Sequence, residues 1–368
     1  MPIKKIIFLI LIIAVVGMAI YFGWGKFKET VKTLPLLAPE TPTSTASLPS
    51  TEGLNLISQE KVFDYWFLND EVFYVTAEGK IIKIPKNGTE EVVQNTTFES
   101  LNSLIISPDG QNIAFGFNKP EKFRIFSIIE NLWQPLDEKI IKLDWSAATS
   151  TATTTPPIAY LKKTANLYNL ATYNFKTKKE NFVATLASQD VNISWLTPEK
   201  ILVWEKPSYY KPASLLSFNP KTKKVEVLIY EQPGLMINWS PNKEMALVSK
   251  NGPSIEPILY LVNKEIEVIT NLPFLTLPSK CAFSEDSQLI ACAVPLPQQI
   301  RNKWRFPDDW LINKDNFSET LYLGRLTQDG ILSQPFLSGV NAEKIKIHQD
   351  KLFFINNLDQ KLYSTNLP

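Results

Sequence analysis

The chain of 368 residues has very few of the residue types from which catalytic and metal sites are built. It contains one histidine, His348, and two cysteines, Cys281 and Cys292. Zinc sites and histidine-activated nucleophiles need several such side chains in one place. No G-x-S-x-G, Walker, H-E-x-x-H, EF-hand or dinucleotide-binding motif occurs either. The composition argues against most hydrolase classes, and we predict no catalytic residue, no metal ligand and no cofactor.

An excess of charge of one sign is also missing. Lys and Arg together number 38 against 37 for Asp and Glu, which gives a formal net charge of +1. Proteins that bind nucleic acid usually carry a basic excess that neutralises phosphates, so we expect no nucleic-acid partner. Hydrophobic residues make up 44% of the chain, enough to bury a large core in one big all-β domain or two ordinary domains.

One uncharged apolar run stands at the front of the chain. It follows a short basic N-terminus, residues 1–5, and extends from Ile6 to Gly25. About 20 apolar residues are what a helix needs to span a bilayer. A cleaved signal peptide would have a shorter apolar region and a cleavage site that is not followed by bulky residues. We therefore predict an uncleaved transmembrane anchor over residues 6–25.

The segment that follows the apolar run, residues 26–53, is rich in Pro, Thr and Ser, a composition typical of an extended tether. Lysines flank the apolar run on both sides, so the positive-inside rule does not decide the orientation. A tether of this kind favours a single-pass protein of the cell envelope, with a cytoplasmic N-terminus and a folded domain, residues 54–368, outside the cytoplasm. A cytoplasmic domain on an inverted anchor is the alternative.

One hairpin pattern recurs seven times after the tether. Its clearest copy contains Ser107 to Gly110, with the sequence Ser-Pro-Asp-Gly, which favours a tight turn because Pro sets the first dihedral, Asp caps the turn and Gly accepts the left-handed position. The other copies begin at residues 66, 143, 193, 237, 281 and 346. Their spacing of roughly 39 to 64 residues is typical of propeller blades.

A second repeat supports the first. The sequence Asn-x-Lys-Thr-Lys-Lys separates two apolar strands at residues 174–179 and again at 219–224, and residues 82–93 are a looser copy. These turns fall where the third and fourth strands of a blade would meet. We therefore predict an all-β, seven-bladed β-propeller of four-stranded blades, preceded by one transmembrane helix. A pair of β-sandwiches is the alternative, although sandwiches would not return to one hairpin pattern seven times.

The repeats resemble those of the WD40-like and TolB-like propeller families, in which an S-P-D-G hairpin precedes an apolar strand. Ser107 to Gly110 matches this pattern fully, while residues 239–242 and 283–286 match it in part, and the Gly-His and Trp-Asp marks of true WD40 repeats are missing. The resemblance covers about residues 55–368 and implies a bacterial, membrane-anchored propeller. The resemblance does not imply an active site, because propellers of this type have diverse partners.

The seventh repeat has room for only three strands. We predict that its missing outer strand comes from residues 54–59, so that the first strand of the domain pairs with the last and closes the ring. His348 stands at the turn position that serines occupy in other repeats. We expect it to be a polar turn residue that forms a hydrogen bond within its own blade.

The two cysteines face each other in the predicted sixth hairpin. That hairpin turns between Asp286 and Ser287, which places Cys281 opposite Cys292. Directly opposed residues of an antiparallel pair come close enough for a disulfide, and a site outside the cytoplasm would permit oxidation. Two small buried thiols are the alternative.

Long loops follow the second strand in three successive repeats, from residues 205, 249 and 295. Consecutive blades are neighbours, so we predict that these loops form one ridge for a partner. Its members are Tyr209, Tyr210, Arg301, Trp304, Arg305, Phe306 and Trp310, which are residue types common at binding hot spots. The alternative is that the aromatic residues only fold the last loop against the propeller wall.

Two functions follow from this organisation. The first is a membrane-tethered, noncatalytic scaffold that binds a protein or a cell-wall polymer through its loops. The alternative is an enzyme that cleaves glycans or peptides with carboxylates in the central channel. Asp308 and Asp309 form a conspicuous acidic pair in the longest loop, but adjacent loop acids are typical of solvated charge, and we assign them no reaction.

Overall fold

A computed structural model describes residues 53–147, 155–251, 257–300, 304–313, 317–328 and 330–368. The predicted anchor, residues 6–25, and the predicted tether up to residue 52 lie outside these ranges, so both stay predictions. Within the described ranges no helix is both long enough and apolar enough to cross a bilayer.

The described residues form seven four-stranded antiparallel sheets, which confirms the predicted propeller. The first strands of blades 1 to 7 are β2 (Val62–Leu68), β6 (Leu101–Ile106), β10 (Ile140–Trp145), β14 (Val191–Thr197), β18 (Met236–Trp239), β22 (Cys281–Phe283) and β26 (Ala342–His348). The second strands are β3 (Glu71–Thr76), β7 (Asn112–Phe117), β11 (Ile158–Thr164), β15 (Lys200–Glu205), β19 (Met245–Asn251), β23 (Leu289–Pro295) and β27 (Lys351–Asn356).

The remaining elements complete each blade. The third strands are β4 (Ile81–Ile84), β8 (Lys122–Ser127), β12 (Leu167–Asn174), β16 (Ala213–Phe218), β20 (Pro257–Asn263), β24 (Glu319–Thr327) and β28 (Lys361–Asn366). The fourth strands are β5 (Glu91–Gln94), β9 (Leu132–Pro135), β13 (Lys179–Leu186), β17 (Val225–Gln232), β21 (Val268–Asn271), β25 (Gly330–Val340) and, in blade 7, β1 (Asn55–Leu56). The helices are α1 (Asp308–Asn313) and two 3-10 turns, Pro278–Lys280 and Pro297–Gln299.

The core lies between blades rather than within any one of them. Strand β7 is buried at every position, because neighbouring blades cover both of its sides. Trp66 and Phe73 of blade 1, for example, pack in one cluster with Ile113, Phe115 and Phe126 of blade 2. The fourth strands are far more exposed, as the pattern of β17 shows. A blade is therefore stable only when both of its neighbours are in place.

The alternating strand direction gives the propeller two faces. The turns between first and second strands and between third and fourth strands lie on one face, which we call the turn face. The connections between second and third strands and from blade to blade lie on the other, the loop face. Asn55 pairs with Ser364, and the Leu367 N–H donates to the Asp350 carbonyl in a turn of the turn face, at 2.8 Å. The chain therefore enters the propeller at the turn face.

Three first hairpins share one hydrogen-bond network at their turns. The side-chain oxygen of the leading serine accepts from the backbone N–H five residues later, at 2.9, 3.1 and 2.9 Å for Ser107, Ser240 and Ser284. Each serine hydroxyl also donates to the Asp or Asn side chain two residues later. The small polar residues of the sequence pattern thus hold the turn closed from inside.

His348 occupies the equivalent place in blade 7, and the prediction that it bonds within its own blade is wrong. Its Nδ1 lies 3.0 Å from Oε1 of Glu285 in blade 6, and its ring stacks on Phe67 of blade 1 with centroids 4.1 Å apart. An imidazole is longer than a serine hydroxymethyl group, so it reaches past its own turn. His348 therefore connects blade 7 to both of its neighbours.

Strand β1 completes blade 7, which confirms the predicted ring closure by residues 54–59. An ion-pair cluster on the first strands joins the same two blades. Asp64 Oδ2 of blade 1 lies 2.7 Å from Nζ of Lys344 in blade 7, and Asp64 Oδ1 lies 3.5 Å from Nζ of Lys346. Burial acts to raise the pKa of Asp64, but the charges of Lys346 and Lys344 outweigh it and hold that pKa below its usual range. Asp64 is therefore ionised in the closed ring.

We predict that Asp64→Asn lowers the free energy of unfolding by about 2 kcal/mol at neutral pH, because it removes the buried carboxylate that Lys344 and Lys346 share. A depressed carboxyl pKa stabilises the fold above the unfolded-state value of about 3.9 and loses this effect as pH falls through the folded value. The difference between wild type and variant in urea unfolding should thus be constant near neutrality and shrink below about pH 4.

The matched control is Asp137→Asn. Asp137 lies 2.7 Å from Lys162 in a pair that is more exposed, with side-chain exposures of 44% and 28%. Its loss should cost at most about 1 kcal/mol. Equal destabilisation by the two substitutions would show that the Asp64 cluster has no special part in closing the ring.

Candidate partner-binding surface

The long loops of blades 4 and 6 lie on the loop face, as predicted. They correspond to residues 206–212 and to the described parts of residues 296–318, while the loop of blade 5, residues 252–256, lies outside the described residues. Hydrogen bonds join the loops of blades 4 and 6 and fix the loop of blade 6 to blade 5. The Tyr209 N–H donates to Asp308 Oδ2 at 2.6 Å, and Nδ2 of Asn251, at the end of β19, donates to the Phe306 carbonyl at 2.9 Å. The structure thus brings the long connections together.

Residues 296–318 have a small core of their own. Leu277, Phe306, Trp310 and Phe317 form a buried cluster, against which Trp304 is partly buried. The ring of Trp310 lies 5.0 Å from that of Phe317 and 5.5 Å from that of Phe306, centroid to centroid. A segment this long must bury apolar area to be ordered, because ordering the chain costs conformational entropy.

This core changes the predicted ridge. Phe306 and Trp310 are 2% and 1% exposed, so the prediction that they contact a partner is wrong for both. Their side chains stabilise the loop instead, which was the alternative interpretation. Trp304 is partly buried against Phe317, with ring centroids 5.4 Å apart. Arg301 lies outside the described residues, and its place in the ridge stays a prediction.

The exposed part of the loop face centres on Tyr210 and Arg305. Tyr210 is 64% exposed, and the Arg305 guanidinium lies over its ring, 5.6 Å from the centroid, while also donating to its hydroxyl. Tyr209 is half-buried and meets Tyr210 edge to face at 5.2 Å. On α1, Leu311 and Ile312 are exposed. We call Tyr209, Tyr210, Arg305, Leu311 and Ile312 the loop-face patch.

The acidic pair Asp308 and Asp309 orients this patch. Asp309 accepts from Arg305 Nη2 at 2.9 Å and Nε at 3.0 Å, and these hydrogen bonds from Arg305 hold the pKa of Asp309 below its usual range. Asp308 accepts from the Tyr209 backbone. The interpretation of the pair as solvated charge therefore missed its role as an acceptor between loops. The composition could not indicate this role. One donor, the Tyr209 N–H, is in blade 4, and the other, Arg305, lies one helical turn before Asp309.

Sequence reasoning also missed a cavity of about 770 Å³ on the turn face. Turns of blades 2 to 5 line it, and the Lys200 ammonium of blade 4 lies 2.7 Å from Glu265 Oε2 of blade 5 at this position. Its walls are far apart in the sequence, so no local motif identifies it. Among the described residues no group of three or more His, Cys, Asp or Glu side chains is arranged to hold a metal ion.

Cys281 and Cys292 are directly opposed in the β22–β23 pair and joined by a disulfide, with the two sulfurs 2.10 Å apart. Both residues are buried in the cluster between blades 5 and 6. The disulfide therefore links the first and second strands of blade 6, the blade whose long loop carries Arg305.

Several solved structures share the fold. An oligogalacturonate lyase from Vibrio parahaemolyticus has a TM-score of 0.58 at 10% identity, over 86% of this chain and 93% of the lyase. The β-propeller domain of Cps50 (Swd1) from Myceliophteria thermophila has a TM-score of 0.56 at 10% identity, over 86% and 100%. TolB from Acinetobacter baumannii is a weaker match, with a TM-score of 0.44 at 9% identity over 79% of this chain and 60% of TolB, and it carries no argument about the fold.

No family model matches the chain, and no curated protein is similar to it in sequence. At identities near 10% the structural likeness shows the propeller fold alone. The relation to the WD40-like and TolB-like families therefore stays a resemblance of repeats.

We predict that Trp310→Ala loosens residues 296–318 and leaves the ring folded. Truncating a buried tryptophan typically costs about 3–5 kcal/mol, which exceeds what so small a core can supply. Limited proteolysis should then cut the variant between β23 and β24 and leave the rest of the propeller uncut. Tyr210→Ala is the control, because it truncates an exposed side chain. The digestion pattern of this variant should equal that of the wild type. Resistance of both variants to cleavage would contradict a separate core in the loop.

The disulfide predicts a simple mass experiment. Unfolded protein treated with an alkylating reagent should gain no adduct without reductant and one adduct per cysteine after reduction, because a disulfide has no thiolate to react. Protein isolated from its native cells in the presence of the reagent is the sample to measure. Adducts on both Cys281 and Cys292 before reduction would instead support two buried thiols.

Proposed function

We propose that this protein is a membrane-tethered, noncatalytic scaffold that binds a protein or a cell-wall polymer outside the cytoplasm. The apolar run of residues 6–25 supports the anchor, and the buried disulfide supports an oxidising compartment, since such bonds persist outside the cytosol. The propeller supplies a rigid platform, and its loop face supplies the binding surface.

The observation that carries the proposal is the way in which the loops are held. Residues 296–318 exceed what is needed to connect two strands, as the pair of residues 165–166 does in blade 3. Their own core and the hydrogen bonds of Asp308 and Asn251 fix Tyr210 and Arg305 in place. Tyrosine and arginine side chains that are already fixed in one conformation lose little entropy when a partner binds, and both are common hot-spot residues.

The loop-face patch also exposes apolar area. Ile312 is 77% exposed and Leu311 is 45% exposed, on the helix whose Asp309 holds Arg305. Exposed aliphatic side chains beside an oriented tyrosine and arginine provide both desolvation and directional hydrogen bonding to a partner. A peptide segment or a glycan strand with apolar acyl or methyl groups has the matching chemistry.

A photo-crosslinking experiment tests this function. Benzoylphenylalanine at position 210 should capture one partner in intact envelopes, and the same residue at position 132 should not. Leu132 is the matched position, because it is 60% exposed but lies at the turn-face start of β9 in blade 2, away from the loops. Mass spectrometry identifies a protein partner, and digestion with wall hydrolases identifies a polymer.

The variant Tyr210→Ala with Arg305→Ala should lower recovery of that partner. Truncating a hot-spot residue costs about 2 kcal/mol or more, so affinity should fall at least about 30-fold. Unchanged recovery by a folded double variant, or equal capture from positions 210 and 132, would refute the loop-face patch as the binding site.

A carboxylate enzyme is the second candidate, and Asp144 is the residue that favours it. Asp144 lies on the inner strand β10, where burial raises its pKa although the charge of Lys243 and a 2.8 Å hydrogen bond from the Trp195 N–H oppose the shift. A carboxyl group with a raised pKa is suited to general acid catalysis. Asp144→Asn should abolish any cleavage of glycans or peptides by the purified chain, whereas scaffold binding should be unaffected.

A further inference from the structure

Two lysine-rich hairpins occupy equivalent places on the turn face. Residues 174–179 connect β12 to β13 in blade 3, and residues 219–224 connect β16 to β17 in blade 4. Their lysines are all exposed; they are Lys176, Lys178, Lys179, Lys221, Lys223 and Lys224. The repeat was recognised in the sequence as a turn, but a turn of this length does not require six cations.

The two hairpins have the same backbone geometry. The Thr177 N–H donates to Asn174 Oδ1 at 3.0 Å, and the Thr222 N–H donates to Asn219 Oδ1 at 2.9 Å. The residue that follows each threonine is a lysine with positive φ, 53° for Lys178 and 63° for Lys223. Glycine and asparagine adopt this region most easily. Both turns therefore carry a positive charge where an uncharged glycine would be less strained.

The hairpins are joined into one surface. Asn181 Nδ2 of blade 3 donates to the Pro220 carbonyl of blade 4 at 3.0 Å, and Lys223 Nζ donates to Asn181 Oδ1 at 2.7 Å. Nearby carboxylates include Glu180 and Glu226, and Glu244 and Glu265 line the same cavity as Lys224 but pair with Lys264 and Lys200. Glu199 pairs with Lys221 at 3.0 Å in an exposed ion pair. The six lysines, which we call the lysine surface, are thus a region of excess positive charge on a chain of nearly neutral composition.

Apolar side chains continue from the lysine surface along the outer strands. Phe182 on β13 is 52% exposed, and Val225 and Val227 on β17 are 53% and 54% exposed. A soluble polyanion offers nothing apolar to such side chains. The boundary between headgroups and acyl chains offers both an anionic layer and an apolar one.

The path of the chain also favours a membrane as the occupant. The propeller begins at the turn face with β1, so the tether predicted over residues 26–53 joins the domain on the same face as the lysine surface. Fully extended, those residues reach about 90 Å. That length lets blades 3 and 4, across the ring from blade 7, lie against the membrane that holds residues 6–25.

We propose that the lysine surface docks the turn face of the propeller on anionic lipid headgroups. Glu285, exposed on the first turn of blade 6, repels the same headgroups, so the docked propeller is tilted with blades 3 and 4 lowest. The loop-face patch then points away from the bilayer. Docking goes beyond the proposed scaffold function, although it uses the same anchor.

The test is energy transfer in reconstituted full-length protein. Thr177→Cys gives one reactive thiol for a donor dye, because both native cysteines are in the disulfide, and the acceptor dye is on lipid headgroups. Transfer should be stronger in vesicles that contain phosphatidylglycerol than in phosphatidylcholine alone. It should fall to the phosphatidylcholine level at 1 M salt, where the Debye length is about 3 Å.

Charge removal supplies the decisive comparison. Lys176→Gln, Lys178→Gln and Lys224→Gln together should lower the ratio of docked to undocked protein about 100-fold, at about fivefold per lysine. The control replaces Lys163, Lys206 and Lys211 with Gln on the loop face of the same two blades. It makes the same change in net charge and should leave the transfer unchanged.

Each remaining outcome overturns docking. Transfer that does not depend on phosphatidylglycerol, or that falls equally in both triple variants, excludes a lipid-docking lysine surface. Tight binding of soluble polyphosphate with no response to lipid composition assigns the surface to a soluble polyanion. Resistance of the chain to alkaline carbonate extraction separates a failure of docking from a failure of the anchor.

Discussion

Ring closure between blades 7 and 1 is the interaction on which the rest of the structure depends. Every blade is apolar on both sides, so an open ring would expose the faces of its first and last blades to water. Strand β1 contributes only two residues to the closing sheet. The first strands add the ion pair of Asp64 with Lys344, and the hydroxyl of Tyr65 lies 2.7 Å from the Lys344 carbonyl. Closure therefore combines backbone pairing with buried charge, and the buried charge is favourable only because each ion has its partner.

A closed ring leaves its two faces free to differ. All seven inner hairpins turn on one face, where Ser-x-Asp and Ser-x-Asn networks close three of the turns. The opposite face bears the connections between second and third strands, and the longest of these belong to blades 4, 5 and 6. Length there is tolerated because a surface loop adds little closure entropy to a framework that is already rigid. Binding surfaces of opposite character can thus stand on opposite sides of one domain.

The loop face shows how much of a candidate site can be predicted from the sequence. Aromatic and arginine content directed the prediction to the long loops, and the blade order correctly placed the described loops of blades 4 and 6 on one face. The same content could not tell Tyr210, which is exposed, from Trp310, which is buried, because both are large aromatic residues in irregular segments. The difference arises from Leu277, which precedes β22, and Phe317, which precedes β24, and these pack on Trp310 only after the blades have formed.

The sequence by itself determined the number of blades, the position of the hairpins and the pairing of Cys281 with Cys292, because each depends on residues close together in the chain. A turn of Ser, Pro, Asp and Gly and the apolar strands beside it specify one antiparallel register locally. Tertiary structure alone decided that His348 bridges three blades, that Asp308 accepts from Tyr209, and that the lysine hairpins of blades 3 and 4 meet through Asn181 and Pro220. Those contacts join residues that are distant in the chain, and only the closed ring brings such residues within hydrogen-bond distance of each other.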